Sequence, residues 1–248
     1  MSTTDKGNAA RFIAAFKRIE KTLQQVLEDT DPDANYKTLI GEAGKNGYRP
    51  VNTYQQRLHT FGYLRNAILH NPDSSDEEVI AEPRTDIVEE IEDIADNVQS
   101  PPTVDSIYVD SVYSVYGNQP VTKIALEMKE RDFSQAPVTN YDREFQTLLT
   151  TNSIARWFAE AAHHDADLGE ATVKDVLSHR EQEEHYAVLS PEDTLFDLLD
   201  LFDADTDDHI PPYAAVVTQG GTDTGTLQGI LTPFDLPAAY ERLAPSHR

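Results

Sequence analysis

The chain has 248 residues, 44 acidic against 20 basic side chains for a net charge of −24, 39% hydrophobic residues and no cysteine. That length fits one large domain or two ordinary ones, and the apolar fraction is enough for a core. The missing cysteines exclude disulfides, thiolate metal sites, iron–sulfur clusters and a cysteine nucleophile.

Residues 8–29 are expected to form an amphipathic helix, because Phe12, Phe16, Ile19, Leu23 and Val26 recur at steps of three and four. An Asp-rich turn around Pro32 separates it from a second short helix, Tyr36–Ala43, which Gly44 and Gly47 stop. A third helix, Tyr54–His70, capped by Asn52 or Thr53, carries Leu58, Phe61, Leu64 and Ile68 on one side. Val79–Ala81 is a short extended piece before Pro83, and Thr85–Val98 is a fourth helix with Ile87, Ile91 and Ile94 as its stripe. Ser100-Pro101-Pro102 then reads as a linker.

Beyond the linker the rhythm changes. A β-branched run, Ile107–Val115, leads to a helix at Val121–Arg131, extended runs at Ala136–Thr139 and Phe145–Leu149, and a helix at Thr151–Ala162. The order then repeats: a segment near His185–Leu189, a helix at Thr194–Leu201, strands at Tyr213–Val217 and Leu227–Leu231, and a helix at Asp235–Leu243. Two copies of strand–helix–strand–strand–helix make an internal repeat of mixed class. The whole chain is therefore expected to be α+β, with an all-α four-helix-type part first.

The total charge argues against nucleic acid, since phosphate backbones bind Lys and Arg. Its distribution is uneven. Residues 1–71 hold ten basic and seven acidic side chains, a net of +3, and the remainder holds ten basic and 37 acidic ones, a net of −27. Such asymmetry points to different partners for the two parts. The diffuse carboxylates read as adaptation to a salt-rich, archaeal-type cytoplasm, because the Debye length falls to about 3 Å at 1 M salt. The opening segment has no apolar stretch of signal-peptide type, and nowhere do 18 apolar residues run together, so the expectation is a cytoplasmic chain with no membrane partner.

The repeats align best at their ends, Leu148-Leu149-Thr150-Thr151-Asn152-Ser153-Ile154 against Ile230-Leu231-Thr232-Pro233-Phe234-Asp235-Leu236. In each, an apolar strand runs into a Thr that opens a helix. A helix N-terminus attracts anions, and Asp235 one turn on could accept two ribose hydroxyls. The plain structural alternative is that Thr232 is an N-cap and Asp235 an acid that complements the helix dipole. This region, about 104–245, resembles a tandem pair of CBS domains, a Bateman module. The resemblance rests on Ser134-Gln135-Ala136-Pro137-Val138 and Thr150…Ser153 in the first copy. In the second it rests on Tyr213-Ala214-Ala215-Val216-Val217 and Gly229 to Leu236. It implies an adenosine-containing ligand (AMP, ATP or S-adenosylmethionine-like), with Thr232 on phosphate and Asp235 on ribose. Ala136, Pro137, Thr150, Ser153 and Ala215 would be further binding residues. Ser153 stands where the family prefers Asp, and Thr147 where it prefers Gly, which leaves occupancy of one cleft or two open.

In the third helix the run Arg65-Asn66-Ala67-Ile68-Leu69-His70 pairs a permanent cation with a side chain that moves protons near neutral pH. That pair suffices to cleave RNA through its own 2′-hydroxyl. The alternative is a structural ion pair for Arg65 and a helix-end cation for His70. Five residues apart, they lie roughly 140° apart around a helix, so one chain does not aim both at one atom. Residues 8–98 resemble the HEPN superfamily, whose mark is an Arg, a following polar residue and a nearby His. Arg11-Phe12 to Ile19-Glu20 and Ile80-Ala81-Glu82-Pro83 extend the resemblance. It implies a metal-independent endoribonuclease that dimerises to bring two Arg–His pairs together, with Arg65 on phosphate, His70 in acid–base chemistry and Asn66 orienting the site. Many superfamily members are inactive, so fold alone does not prove catalysis.

Other groups carry less. His163-His164-Asp165 reads as a solvated helix end, Trp157 and Phe158 as core or dimer interface, and the Asp203–Asp208 run as a solvated loop, so no metal is expected. The expected organisation is a helical domain over 1–99, a linker over 100–103 and repeats over 104–170 and 171–248. The expected function is a nucleotide-regulated ribonuclease or RNA-binding homodimer with no required cofactor. The alternative is a non-catalytic adaptor whose helical part only dimerises. A third option is a scaffold that binds neither RNA nor nucleotide.

Overall fold

The computed structural model describes residues 7–27, 31, 34–69, 79–108, 112–163, 169–181, 185–203 and 210–245. Helices and two small sheets make an α+β chain with two compact units, one of residues 1–102 with 240–248 and one of residues 103–239.

The first unit holds α1 (Asn8–Val26), α2 (Tyr36–Lys45), α3 (Arg49–Ile68) and α4 (Thr85–Gln99). The apolar stripes are buried against one another: Phe12, Ile19 and Leu23 of α1, Leu39 and Ile40 of α2, Leu58 and Phe61 of α3, and Ile91 and Ile94 of α4. Phe12 meets Phe61 edge-on at 5.8 Å between ring centres. Helix α3 starts at Arg49, earlier than Asn52 or Thr53 would place it. Pro50 lies in its first turn, where a missing N–H costs nothing and the fixed φ is already helical. Asn35 caps α2 by accepting the Thr38 N–H at 3.1 Å. Glu82 accepts the Ala9 N–H at 2.8 Å, putting a carboxylate on the positive end of α1. Tyr54 is buried; its hydroxyl donates to the Leu243 carbonyl at 2.6 Å and accepts from Asn97 at 2.9 Å.

Helix α4 changes the electrostatics of this unit. Arg11 grips Glu92 through Nε at 3.0 Å and Nη2 at 2.6 Å, Arg18 pairs with Asp96, and Arg57 pairs with Glu90. Counted over 1–102 and 240–248, the unit has thirteen basic and nineteen acidic side chains, a net of −6. The positive segment that ends at Asn71 is therefore not a positive unit.

The second unit contains β1 (Val115–Tyr116), α5 (Val121–Arg131), β2 (Gln135–Thr139), β3 (Phe145–Thr150) and α6 (Thr151–His163). It continues through α7 (Val173–Val176), β4 (Ala187–Leu189), α8 (Leu195–Leu201), β5 (Ala215–Thr218) and β6 (Leu227–Leu231), and α9 (Leu236–Leu243) follows. Each sheet has three strands, a parallel pair followed by an antiparallel hairpin, in the orders β1-β2-β3 and β4-β5-β6. The hairpins share an irregularity at the corresponding place, between Val138 and Thr139 and between Val217 and Thr218. A common bulge position in two hairpins of different loop length is structural evidence of the repeat.

One core, built on Val121, Ile124, Met128, Val138, Leu149 and Trp157, also takes in Val173 and Val176 of α7, past the expected boundary at residue 170. A second joins Phe145 and Leu148 of the first copy to Ala214, Val216 and Leu227 of the second, so the two copies share one interior. The hairpins also pair at their ends, where the Phe145 N–H reaches the Gly225 carbonyl at 3.0 Å and the Leu227 N–H reaches the Arg143 carbonyl at 2.9 Å. Gly229 is needed in β6 because the Tyr108 ring lies where a Cβ would stand, 2.8 Å away. Trp157 takes the core position open to it, while Phe158 is exposed. No described helix is long and apolar enough to cross a membrane.

Candidate functional site

The helical unit has a cleft of about 370 Å³ along α3. His59, Gly62, Tyr63 and Asn66 line it at steps of three and four, which puts them on one face, and Arg65 flanks them. Phe16, Tyr36 and Lys37 contribute from α1 and α2, with Glu20 as the cleft's carboxylate. The Arg65 guanidinium lies over the Phe16 ring, 5.8 Å from its centre, and Nη1 donates to Asn66 Oδ1 at 3.1 Å. Phe16 in turn packs on Tyr36, 4.3 Å between ring centres. Tyr36 lies close against α3 because residue 62 is glycine: a Cβ there would stand 3.2 Å from the ring. The Tyr36 hydroxyl is buried and has no hydrogen-bond partner among the described residues. Burial, reinforced by Glu20, pushes its pKa well above the usual tyrosine value.

Arg65 and Asn66 thus share one cleft wall. His70 lies outside the described residues. A histidine that does line the cleft is His59, which a motif read C-terminal to Arg65 does not include. Its signal in the sequence is its spacing: His59 precedes Asn66 by seven residues, two helical turns, so both lie on one stripe.

The repeat unit has a second cleft, of about 290 Å³. Ser134, Gln135 and Pro137, at the start of β2, line it from the first copy. Ile230, Thr232, Phe234 and Asp235 line it from the second, and Val112, Tyr113, Asp132 and Phe133 complete it. Its wall is aromatic. Tyr113 and Phe133 lie 5.7 Å apart between centres, and Phe234 is 91% exposed. Arg131 stacks on Tyr113 at 5.0 Å from the ring centre and is not among the lining residues.

Thr232 and Asp235 form a reciprocal capping box. Asp235 Oδ2 accepts from the Thr232 N–H at 2.7 Å and from its hydroxyl at 2.9 Å, and Thr232 Oγ1 accepts the Phe234 N–H at 3.3 Å. The same box recurs at Thr172 with Asp175 and at Thr194 with Asp197. The Thr-x-x-Asp pattern therefore marks helix starts throughout this unit. What sets Thr232 and Asp235 apart is the cleft beside them. In the first copy the Thr150 and Ser153 hydroxyls pair at 2.9 Å, and both residues are buried, as are Ala136 and Ala215. Pro137 alone of the sequence-predicted first-copy residues lines the cleft. Among the described residues no group of three His, Asp or Glu side chains could hold a metal ion. His164 and Asp165 and most of the Asp203–Asp208 run lie outside the described residues.

No family model matches the sequence, and no curated protein matches it. Among solved structures the chain is similar to CBSX2 in complex with AMP, at 15% identity and TM-score 0.43, covering 57% of this chain and 98% of that one. It is also similar to a CBS domain-containing protein of unknown function from Bacillus anthracis, at 19% identity and TM-score 0.41, covering 56% and 93%. A third is the CBS domain of a membrane protein from Sphaerobacter thermophilus, at 19% identity and TM-score 0.42, covering 56% and 88%.

Proposed function

We propose that the repeat unit is a CBS-type pair that senses an adenosine-containing ligand, and that the helical unit is an HEPN-like module that binds or cleaves RNA under its control. The observation that carries the reading is the second cleft, which both copies line and which combines an aromatic wall with Thr232 and Asp235. Planar bases stack on such walls, and the Asp235 oxygen not used in the capping box, Oδ1, would accept ribose hydroxyls.

In the helical cleft, Arg65 would hold a phosphate and Asn66 would orient it. His59 or His70 would move the proton between the 2′-hydroxyl and the leaving oxygen. A homodimer supplies the second Arg–His pair that one helix cannot aim. Ligand binding to one arrangement of the dimer shifts its population and so gates the cleft. The cytoplasmic, salt-rich setting belongs to the same proposal and rests on the net charge.

A second reading, an adaptor without catalysis, draws support from the engagement of Arg65 with Phe16 and Asn66, which a purely structural arginine would also make. Incubation with RNA in EDTA separates the two. The nuclease reading expects cleavage by the wild type and loss in Arg65→Ala and His70→Ala, with His59→Ala telling which histidine matters. Identical behaviour of the wild type and all three variants leaves the adaptor.

A further inference from the structure

The charge around the second cleft names a class of ligand. Of its lining residues, Asp132 and Asp235 are acidic and none is Lys, Arg or His. The unit has seven basic residues in all: Lys123, Lys129, Arg131, Arg143, Arg156, Lys174 and Arg180. All are described, and none lines the cleft. Lys123 pairs with Glu127, Arg156 with Glu181, and Arg180 donates to Thr147. Against these seven the unit carries 25 carboxylates, a net of −18.

The helix start beside the cleft does not substitute for a cation. Pro233 has no N–H, the Phe234 N–H goes to Thr232 Oγ1, and the Asp235 N–H goes to the Thr232 carbonyl at 2.9 Å. The Asp235 carboxylate already complements the dipole there. A phosphate in this cleft would meet the carboxylates of Asp132 and Asp235 with no lining cation to offset them; the lining offers the neutral Gln135 amide, and the adjacent Arg131 is engaged over the Tyr113 ring.

We infer that this cleft takes an adenosine-type nucleoside without phosphate, neutral or positively charged, and discriminates against nucleotides. The inference rests on the sensing reading above and sharpens it: adenosine or the sulfonium S-adenosylmethionine is accepted, AMP and ATP are not. The aromatic wall is indifferent to charge, whereas Asp132 and Asp235 are not.

Calorimetric titration of the full chain tests this, with adenosine, S-adenosylmethionine, AMP and ATP in turn. EDTA keeps divalent ions from bridging phosphate and carboxylate, and KCl is held at the lowest concentration that retains the fold. Adenosine or S-adenosylmethionine is expected to bind at least about tenfold more tightly than AMP, with ATP weaker still. Asp132→Asn, a substitution its left-handed backbone (φ 58°) tolerates, should narrow the adenosine-to-AMP ratio by about threefold or more. AMP or ATP binding as tightly as adenosine overturns the inference and leaves the sensing reading standing, as does a ratio unchanged in Asp132→Asn. If none of the four binds, the sensing reading itself falls.

Discussion

At Tyr113, burial and a carboxylate act together on one hydroxyl. Desolvation is the larger cause, the hydrogen bond to Glu127 Oε2 at 2.9 Å adds to it, and Arg131 opposes both; the pKa is pushed up to about 12 from 10.0. A raised pKa means that folding favours the neutral phenol. Its contribution is therefore complete below the ordinary value near 10 and is lost as pH rises through about 12. Tyrosinate absorbance followed against pH should show one late-titrating group fewer in Tyr113→Phe, and the variant's stability should fall less steeply than the wild type's between those values. Identical titration curves would count against the half-buried hydrogen bond to Glu127. Single residues of this kind were hard to read from sequence. Tyr36 and Gly62 become partners only when α2 packs on α3, and His59 joins Asn66 only once the stripe is seen to face a cleft. Arg65 and Asn66 are neighbours on one helix, so their adjacency needs no tertiary packing to be read.

At the scale of elements, periodicity placed the four helices of the first unit, because each must bury an apolar stripe and the stripe is written in the chain. Where the start depended on Pro50 rather than on a polar cap, the expected boundary of α3 fell short. The repeat was legible in its order of strands and helices; the paired bulges and the shared core were not, since the core depends on contacts between segments 66 to 82 residues apart. The Thr-x-x-Asp pattern shows the limit most clearly: three copies form the same capping box and one borders the cleft. Asp197→Asn and Asp235→Asn should each cost about 0.5–2 kcal/mol of stability through the weakened cap. Only Asp235→Asn should also weaken adenosine binding, by about tenfold, if it holds ribose. Thermal unfolding of both variants with and without adenosine provides the comparison, and equal losses of ligand-induced stabilisation would assign Asp235 to capping alone.

For the whole molecule, where the chain is cut decides what its charge means. Cutting after Asn71 isolates a segment of +3, but α4 belongs to the same unit and brings its carboxylates to Arg11, Arg18 and Arg57, so the unit carries −6. A polyanion approaching the helical cleft would find the local cations Lys37 and Arg65 beside the Glu20 carboxylate rather than a positive surface. The same charge balance predicts how salt acts on stability. Screening weakens the exposed ion pairs, each worth about 0–1 kcal/mol, and it also weakens repulsion among carboxylates. Even if every one of the 20 basic residues were paired, 24 of the 44 acidic residues would have no opposite charge. On that excess, repulsion among carboxylates is expected to outweigh the attraction within the pairs. Raising KCl from about 0.1 M to about 2 M shortens the Debye length from about 10 Å to below about 3 Å. The midpoint of thermal unfolding should rise by at least about 5 °C over that range, equivalent to roughly 1–2 kcal/mol for a chain of this size. Most of the gain should come below about 1 M, where the screening length changes most. A midpoint that stays flat or falls with KCl would mean that the ion pairs outweigh the excess carboxylates, and the reading of this surface as salt-adapted would go with it.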